Sequence, residues 1–352
     1  MEFEVLNSAL RALHSAFHTP MIASSSPKRS LFKRSRSLDA RTADGIFYWS
    51  TLVFAALVLL LVGWLGYQLY AAAKPSITQF GLNFLSSSVW NTEDAAMKPN
   101  TYGAWPYIYG TLVSSFLALL LAVPVGVGTA IFLAELAPRW LRTPLGFLVD
   151  LLAAVPSVVY GLWGKLVLIP ALTPAQEWMG EHLSGIRIIG PLFKGTPHGY
   201  SMMAGGLVLA IMVLPFISAV SREVIKAVPS TQREAAFGLG STHWEAIRGP
   251  ILRTARSGII GAIILGLARA LGETMAITMV IGNANVASPS LLEAGATLSS
   301  KLANEFAEAS GGQQAALMYL ALVLFGITIV VNAFARLLIW NMSRQVKGTV
   351  RA

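Results

Sequence analysis

Two opposite charges, Arg269 and Glu273, stand inside an apolar stretch that runs from Ser257 to Asn283, SGIIGAIILGLARALGETMAITMVIGN. The stretch is rich in Gly and Ala and is about long enough to cross a bilayer as one helix. Residues four apart share a helix face, so this reading places Arg269 and Glu273 on one side of a continuous span. A charge at membrane depth is costly and by default marks a functional site lined by protein or water. The chemistry on offer is passage of an anion past a guanidinium, with Thr274 and Thr278 as further hydroxyl donors. The competing reading is an ion pair, internal or to a partner chain, that fixes helix packing. The order Arg before Glu is the weaker one for an i,i+4 pair, which favours an Arg269 left to face something else. Two roles are open to Glu273: to orient and neutralise Arg269 when the path is empty, or to repel anions and prevent a leak.

The element that must hold these residues is set by composition. Of 352 residues, 55% are hydrophobic and only 12% charged, against about a quarter charged in a soluble domain. The fold class is therefore all-α and polytopic in a membrane, because isolated strands leave backbone groups unpaired in lipid. Six spans follow from the apolar runs: Ile46–Ala73, Ile108–Leu136, Pro144–Leu168, Ser201–Val220, Ser257–Asn283 and Gln314–Trp340. Ala71 and Ala73 resemble a signal cleavage site, but the apolar run before them is too long for a signal peptide. Trp90, Trp105, Tyr107 and Tyr109 fit an interfacial belt or a structured external loop. Pro174, Gly185, Gly190, Pro191 and Pro197 argue against a continuous helix over 173–200, and Ser299–Ala309 reads as helical. Asp150, near the start of the third span, and Lys165, near its end, read as snorkelling structural residues.

Charge placement orients the chain. With the N-terminus inside, the cytoplasmic segments hold 19 Lys and Arg and the external loops five, a bias that puts both termini in the cytoplasm. It also explains the net charge of +9 without nucleic acid. Residues 1–45 form a basic cytoplasmic extension, with an amphipathic helix over Met1–His18 and disorder over Ser24–Arg41; 46–343 are the membrane domain, and 344–352 a cytoplasmic tail. The basic extension suits attraction to anionic membrane lipid. Cysteine is absent, which excludes disulfides, Cys-ligated zinc and Fe–S clusters. His14 and His18 have helical spacing in the exposed extension and read as a solvated face. No metal or cofactor is implied, and a membrane enzyme is disfavoured because no nucleophile–base set is present.

Between the fourth and fifth spans lies a polar segment, about 222–254, containing REAAFGLGSTHWEAIRG (Arg233–Gly249). Glu234, Ala235 and Ala236, with Gly240 four residues on, resemble the EAA loop of ABC importer permeases. Two short helices turning at Gly240 would offer Glu234, Phe237, Leu239 and Trp244 to a partner. The bland alternative is an ordinary amphipathic loop.

The likeness narrows further. PVGVGTAIFLAELAP (Pro124–Pro138), VPSVVYGLWG (Val155–Gly164), the Arg233–Glu245 run and Ser257–Asn283 together are similar to the phosphate-specific (Pst) ABC transporter permeases, C-type. Arg269-Ala270-Leu271-Gly272-Glu273-Thr274-Met275 is the most specific match. Met275-Ala276 and Ile281-Gly282-Asn283 favour the C over the A type. The resemblance implies a type I importer permease fold and ATP-driven import of inorganic phosphate. It further implies an A-type permease as heterodimer partner, an ATPase dimer on the EAA loop, and an extracytoplasmic phosphate-binding protein. Its site residues would be Arg269, Glu273 and Thr274 in the pathway, and Glu234, Ala235, Ala236 and Gly240 in ATPase coupling. The chain holds no G-x-x-x-x-G-K-[ST] run, so ATP hydrolysis falls to a separate subunit. A permease for sulfate, molybdate or phosphonate, or a membrane scaffold for phosphate signalling, are the alternatives. Three features depart from the pattern: Leu252-Arg253 stands where Leu-Pro is usual, with Pro250 instead; Lys165 replaces an apolar residue; and residues 1–40 are additional.

Overall fold

The computed structural model describes residues 40–91, 102–195 and 199–349. The helix expected over Met1–His18, the His14–His18 pair and most of the Ser24–Arg41 segment lie outside the described residues. The chain falls into two units, residues 1–60 and 61–352. Among the described residues there is no strand, only isolated bridges between Trp90 and Tyr102 and between Gly282 and Gly295. Six helices among the described residues are long and apolar enough to span a membrane.

Helix α1 (Ala40–Phe80) carries the first span and runs on through Pro75, past the expected loop start at Lys74. In the first unit its side chains are apolar and outward-facing, with Phe47 74% and Leu59 74% exposed. A helix apolar on all sides is at home in lipid rather than in water. A single turn, α2 (Asn83–Ser86), follows. Helix α3 (Trp105–Ile131) is the second span and ends in a π-helical turn, Phe132–Leu136.

The third span departs from expectation. Helix α4 (Arg139–Ala154) is separate, and the chain is extended at Val155 and Pro156 before α5 (Ser157–Trp163) begins. Proline disfavours the helical conformation in the residue before it, which accounts for the break. A π turn, Gly164–Leu168, then leads into α6 (Ile169–Leu183), so the span is Ser157–Leu183 rather than Pro144–Leu168. Pro170 does not stop it, because a proline in the first turn of a helical segment withholds an N–H that has no required partner there. Helix therefore extends eleven residues into the stretch expected to be irregular, which resumes only after Leu183.

Helix α7 (Met202–Lys226) is the fourth span and the most buried of the six. Two short helices, α8 (Ser230–Gly238) and α9 (His243–Ala246), precede a π turn at Ile247–Ile251 and then α10 (Leu252–Gly272). The π turn carries Pro250, and the helix passes through it without a break, so the displaced proline does not separate the short helices from the fifth span. Helix α10 lies close against α7: a Cβ added at Gly258 would sit 2.4 Å from Val224, and one at Gly266 2.8 Å from Ile217. Small residues permit such approach where apolar lipid offers no hydrophobic drive. After α10 come the turn α11 (Met275–Thr278), an irregular passage, α12 (Leu298–Glu305) and α13 (Gly311–Thr349).

Candidate functional site

The fifth span is not one helix from Ser257 to Asn283. Helix α10 ends at Gly272, and Glu273 is extended at φ −69°, ψ 127°. Arg269 is therefore in the last turn of a helix and Glu273 beyond its end, so the two do not share a face. Three contacts account for the break. The Glu273 carboxylate accepts a hydrogen bond from the Ala276 N–H at 3.1 Å, capping the next turn. The Ser299 hydroxyl donates to the Glu273 carbonyl at 2.7 Å, and Thr274 donates to the Gly272 carbonyl at 3.2 Å. Glycine at the last helical position has low helix propensity and does not resist these outside partners. Thr278 in turn donates to the Thr274 carbonyl at 2.6 Å, and Asn283, in the left-handed region at φ 57°, donates its amide to the Thr278 carbonyl at 2.8 Å.

Arg269 forms no ion pair among the described residues. Its guanidinium carbon lies 5.8 Å from the centre of the Phe216 ring, and its Nε–H is shielded without an acceptor. A ring face attracts a cation but is a weak substitute for an oxyanion. The C-terminal end of α10 adds favourable helix dipole without quenching the charge. Thr274 lines a cavity of about 420 Å³ with Ser299, Ala303 and Phe306 of the following segment. The structure thus brings Arg269, Glu273 and Thr274 to one helix end, with Glu273 holding the break rather than Arg269.

The second predicted group sits on α8 and α9. Gly240 turns the chain between them at φ +80°, a conformation that strains any residue with a Cβ. Thr242 and Glu245 form a reciprocal capping box that starts α9. Glu234 and Ala235 are exposed, whereas Ala236 is buried. Leu239 is 89% exposed and Trp244 60%, with Phe237 packed 5.3 Å from the His243 ring. Beneath them Ile225, Val228, Ile247, Ile251 and Ala255 form an apolar cluster that joins this elbow to α7 and α10.

Residues 126–344 match the family described as binding-protein-dependent transport system inner membrane component. The phosphate transport system permease protein PstC of Mesorhizobium japonicum is 44% identical over 304 residues, 86% of this chain and 91% of that protein. The protein of the same name from Pasteurella multocida is 43% identical over 323 residues, 90% of this chain and 98% of its own. Among solved structures, a bacterial ABC transporter that imports the acidic polysaccharide alginate matches with a TM-score of 0.52 and 17% identity, covering 86% of this chain and 99% of that one. The chain belongs to the PstC permease family. This makes it a multi-pass inner-membrane permease with the type I importer fold.

Three charge clusters in the permease were not expected from its sequence. Lys301, its side chain 5% exposed, pairs with Glu305 and donates to Asn285 Oδ1 at 3.0 Å, between the rings of Trp90 at 4.7 Å and Tyr107 at 5.2 Å. Trp90 and Gln313 also donate to Glu305 at 2.9 and 3.1 Å. Burial pulls the Lys301 ammonium below the ordinary lysine range, while Glu305 opposes that shift. Arg233 grips Glu135 at 2.7 Å and the carbonyls of Val228 and Ile225, fastening α8 to the end of the second span. Asp150, half-exposed, has a partner the sequence did not indicate: Arg222 of α7 donates to both its oxygens, at 3.2 and 3.1 Å. The i,i+4 spacing of Lys301 and Glu305 in a predicted helix was the one available signal; the other two pairs are 98 and 72 residues apart.

Proposed function

We propose that this permease is the C-type pathway subunit of an ATP-driven importer of inorganic phosphate, working beside a second permease. The observation that carries this reading is Arg269: a guanidinium at the end of a membrane helix, without a counter-ion among the described residues, in a chain whose relatives are named phosphate permeases. Phosphate is tetrahedral and carries one to two negative charges near neutral pH, and a guanidinium meets two of its oxygens with forked hydrogen bonds. An arriving phosphate supplies the acceptor that the Arg269 Nε–H lacks. Thr274 contributes a hydroxyl beside it, and Glu273 positions the helix end. Binding here is modest, since the ion must leave again.

The α8–α9 elbow is the docking surface for an ATPase dimer on the cytoplasmic side. Glu234, Ala235 and Gly240 shape the exposed side and Ala236 anchors it. The Lys and Arg bias supports this orientation, with both termini inside. An extracytoplasmic binding protein delivers phosphate from the opposite side. The test is radiolabelled phosphate uptake in a strain lacking its own system, with partner subunits supplied and membrane levels matched. Uptake by the wild type, lost in both Arg269→Ala and Glu234→Lys, is the expected result. Normal uptake by Arg269→Ala refutes the pathway role, and wild-type uptake of a different oxyanion alone refutes the substrate.

A further inference from the structure

Lys165, like Arg269, is a cation of the membrane domain with no ion pair among the described residues. It lies within the third span, in the π turn Gly164–Leu168, and not near the span's end as the sequence suggested. Its side chain is exposed and forms no ion pair among the described residues. It lines a cavity of about 720 Å³ with Tyr200, Thr278, Asn283, Glu293 and Asn304. π-helical turns recur at functional sites because the extra residue re-aims one side chain.

Helix α7 serves as a ruler for depth. Gly164, adjacent to Lys165, packs on Val208, whereas Arg269 lies over Phe216. These positions are eight residues apart, which is about 12 Å along a helix axis. Lys165 is on the side of Arg269 away from the α8–α9 elbow. The two levels are joined by one polar strand of chain: Thr274, Thr278 and Asn283 are linked in sequence by side-chain hydrogen bonds, and Thr278 and Asn283 line the Lys165 cavity. The single carboxylate of the lining, Glu293, packs against Gly195, where an added Cβ would lie 2.9 Å from its Oε1.

We infer that Lys165 and its cavity form an outer oxyanion station, which holds the transported ion before it reaches Arg269. This rests on the phosphate-path reading above. A mobile ammonium offers a point charge rather than a fixed fork, and Tyr200 and Asn304 line the cavity with a hydroxyl and an amide. Glu293 in the same cavity limits the affinity, so the station passes its ion on. Two weak sites in series allow throughput that one tight site does not.

The chain has no cysteine, so a single introduced thiol reports on the cavity. Val286 lines it and is 56% exposed. In the assembled importer in membranes, Val286→Cys is labelled with an anionic sulfonate thiol reagent, with a neutral maleimide as reference. Inorganic phosphate should slow anionic labelling several-fold with Lys165 present. Lys165→Gln should lower the anionic rate about tenfold, leave the maleimide rate unchanged and abolish phosphate protection, and Lys165→Arg should restore both. Equal anionic rates with Lys165 and with Gln, or no protection by phosphate in the Lys165 background, overturn the station. Uptake by the wild type and by Arg269→Ala reports separately on the pathway reading, so the two can fail independently.

Discussion

Arg269 and Lys301 are both cations in an apolar chain, and their surroundings could hardly differ more. Lys301 is enclosed by a carboxylate, an amide oxygen and two aromatic rings. Arg269 has one ring at 5.8 Å and an Nε–H with no acceptor. A buried charge without compensation is a standing cost, and a structure retains it only where something else repays it. Lys301 is compensated inside the fold and acts as a clamp on the segment after α11. Arg269 has no such compensation among the described residues, and on the proposed reading the transported ion supplies it.

The comparison breaks most readily at Arg269. Arg269→Ala should lower phosphate uptake at least about 100-fold, equivalent to about 2.7 kcal/mol of lost stabilisation of the moving ion. Its detergent thermal midpoint should barely fall, because the side chain contributes no ion pair to the fold. A large loss of midpoint with modest loss of uptake would reverse the assignment and make Arg269 the clamp.

Lys301 should behave in the opposite sense. Lys301→Met strands Glu305 and should destabilise the permease by about 3 kcal/mol, seen as a lower midpoint and reduced membrane levels. Lys301→Met with Glu305→Met removes both charges and should recover most of that loss, with uptake close to wild type. If the double variant stays folded but does not transport, Lys301 belongs to the path as well.

At the other end of the spans the same logic applies to Arg233 and Glu135, which are part-buried partners. Arg233→Gln should cost about 2 kcal/mol, since hydrogen bonds to charged groups are the stronger kind. It should also loosen α8, so ATP hydrolysis by the assembled importer should persist while phosphate uptake falls. Unchanged coupling would show that the apolar cluster beneath α8 holds the elbow by itself.

How much of this was legible in the sequence depends on range. Apolar runs set the number of spans at six, since lipid imposes length and composition on each segment separately. The turn at Gly240 and the exposure of Leu239 and Trp244 followed from local chemistry. Where partners are distant in sequence, the reading failed. The break after Gly272 depends on Ser299, 26 residues beyond Glu273, and nothing in an apolar run announces it. Lys165 was assigned to the end of the third span because that span was placed too early. The proline at 156, not the apolar pattern, sets where that span begins.

The smallest expected effect concerns the protonation of Lys301. Burial lowers its pKa from the ordinary 10.5. The unfolded chain therefore binds the proton more tightly than the folded one in the interval just below that value. Where the unfolded state holds more protons, stability rises with pH. The wild type should thus gain stability through this alkaline interval relative to the double variant Lys301→Met, Glu305→Met, by at most about 1.4 kcal/mol per pH unit. Thermal midpoints of the two proteins across that interval give the difference. A gain in the wild type says that desolvation outweighs the pairing with Glu305, and that the clamp is held by its rings and amide as much as by its charge. A loss says that Glu305 outweighs burial, and Lys301 would then be a stronger ion pair than its enclosure implies.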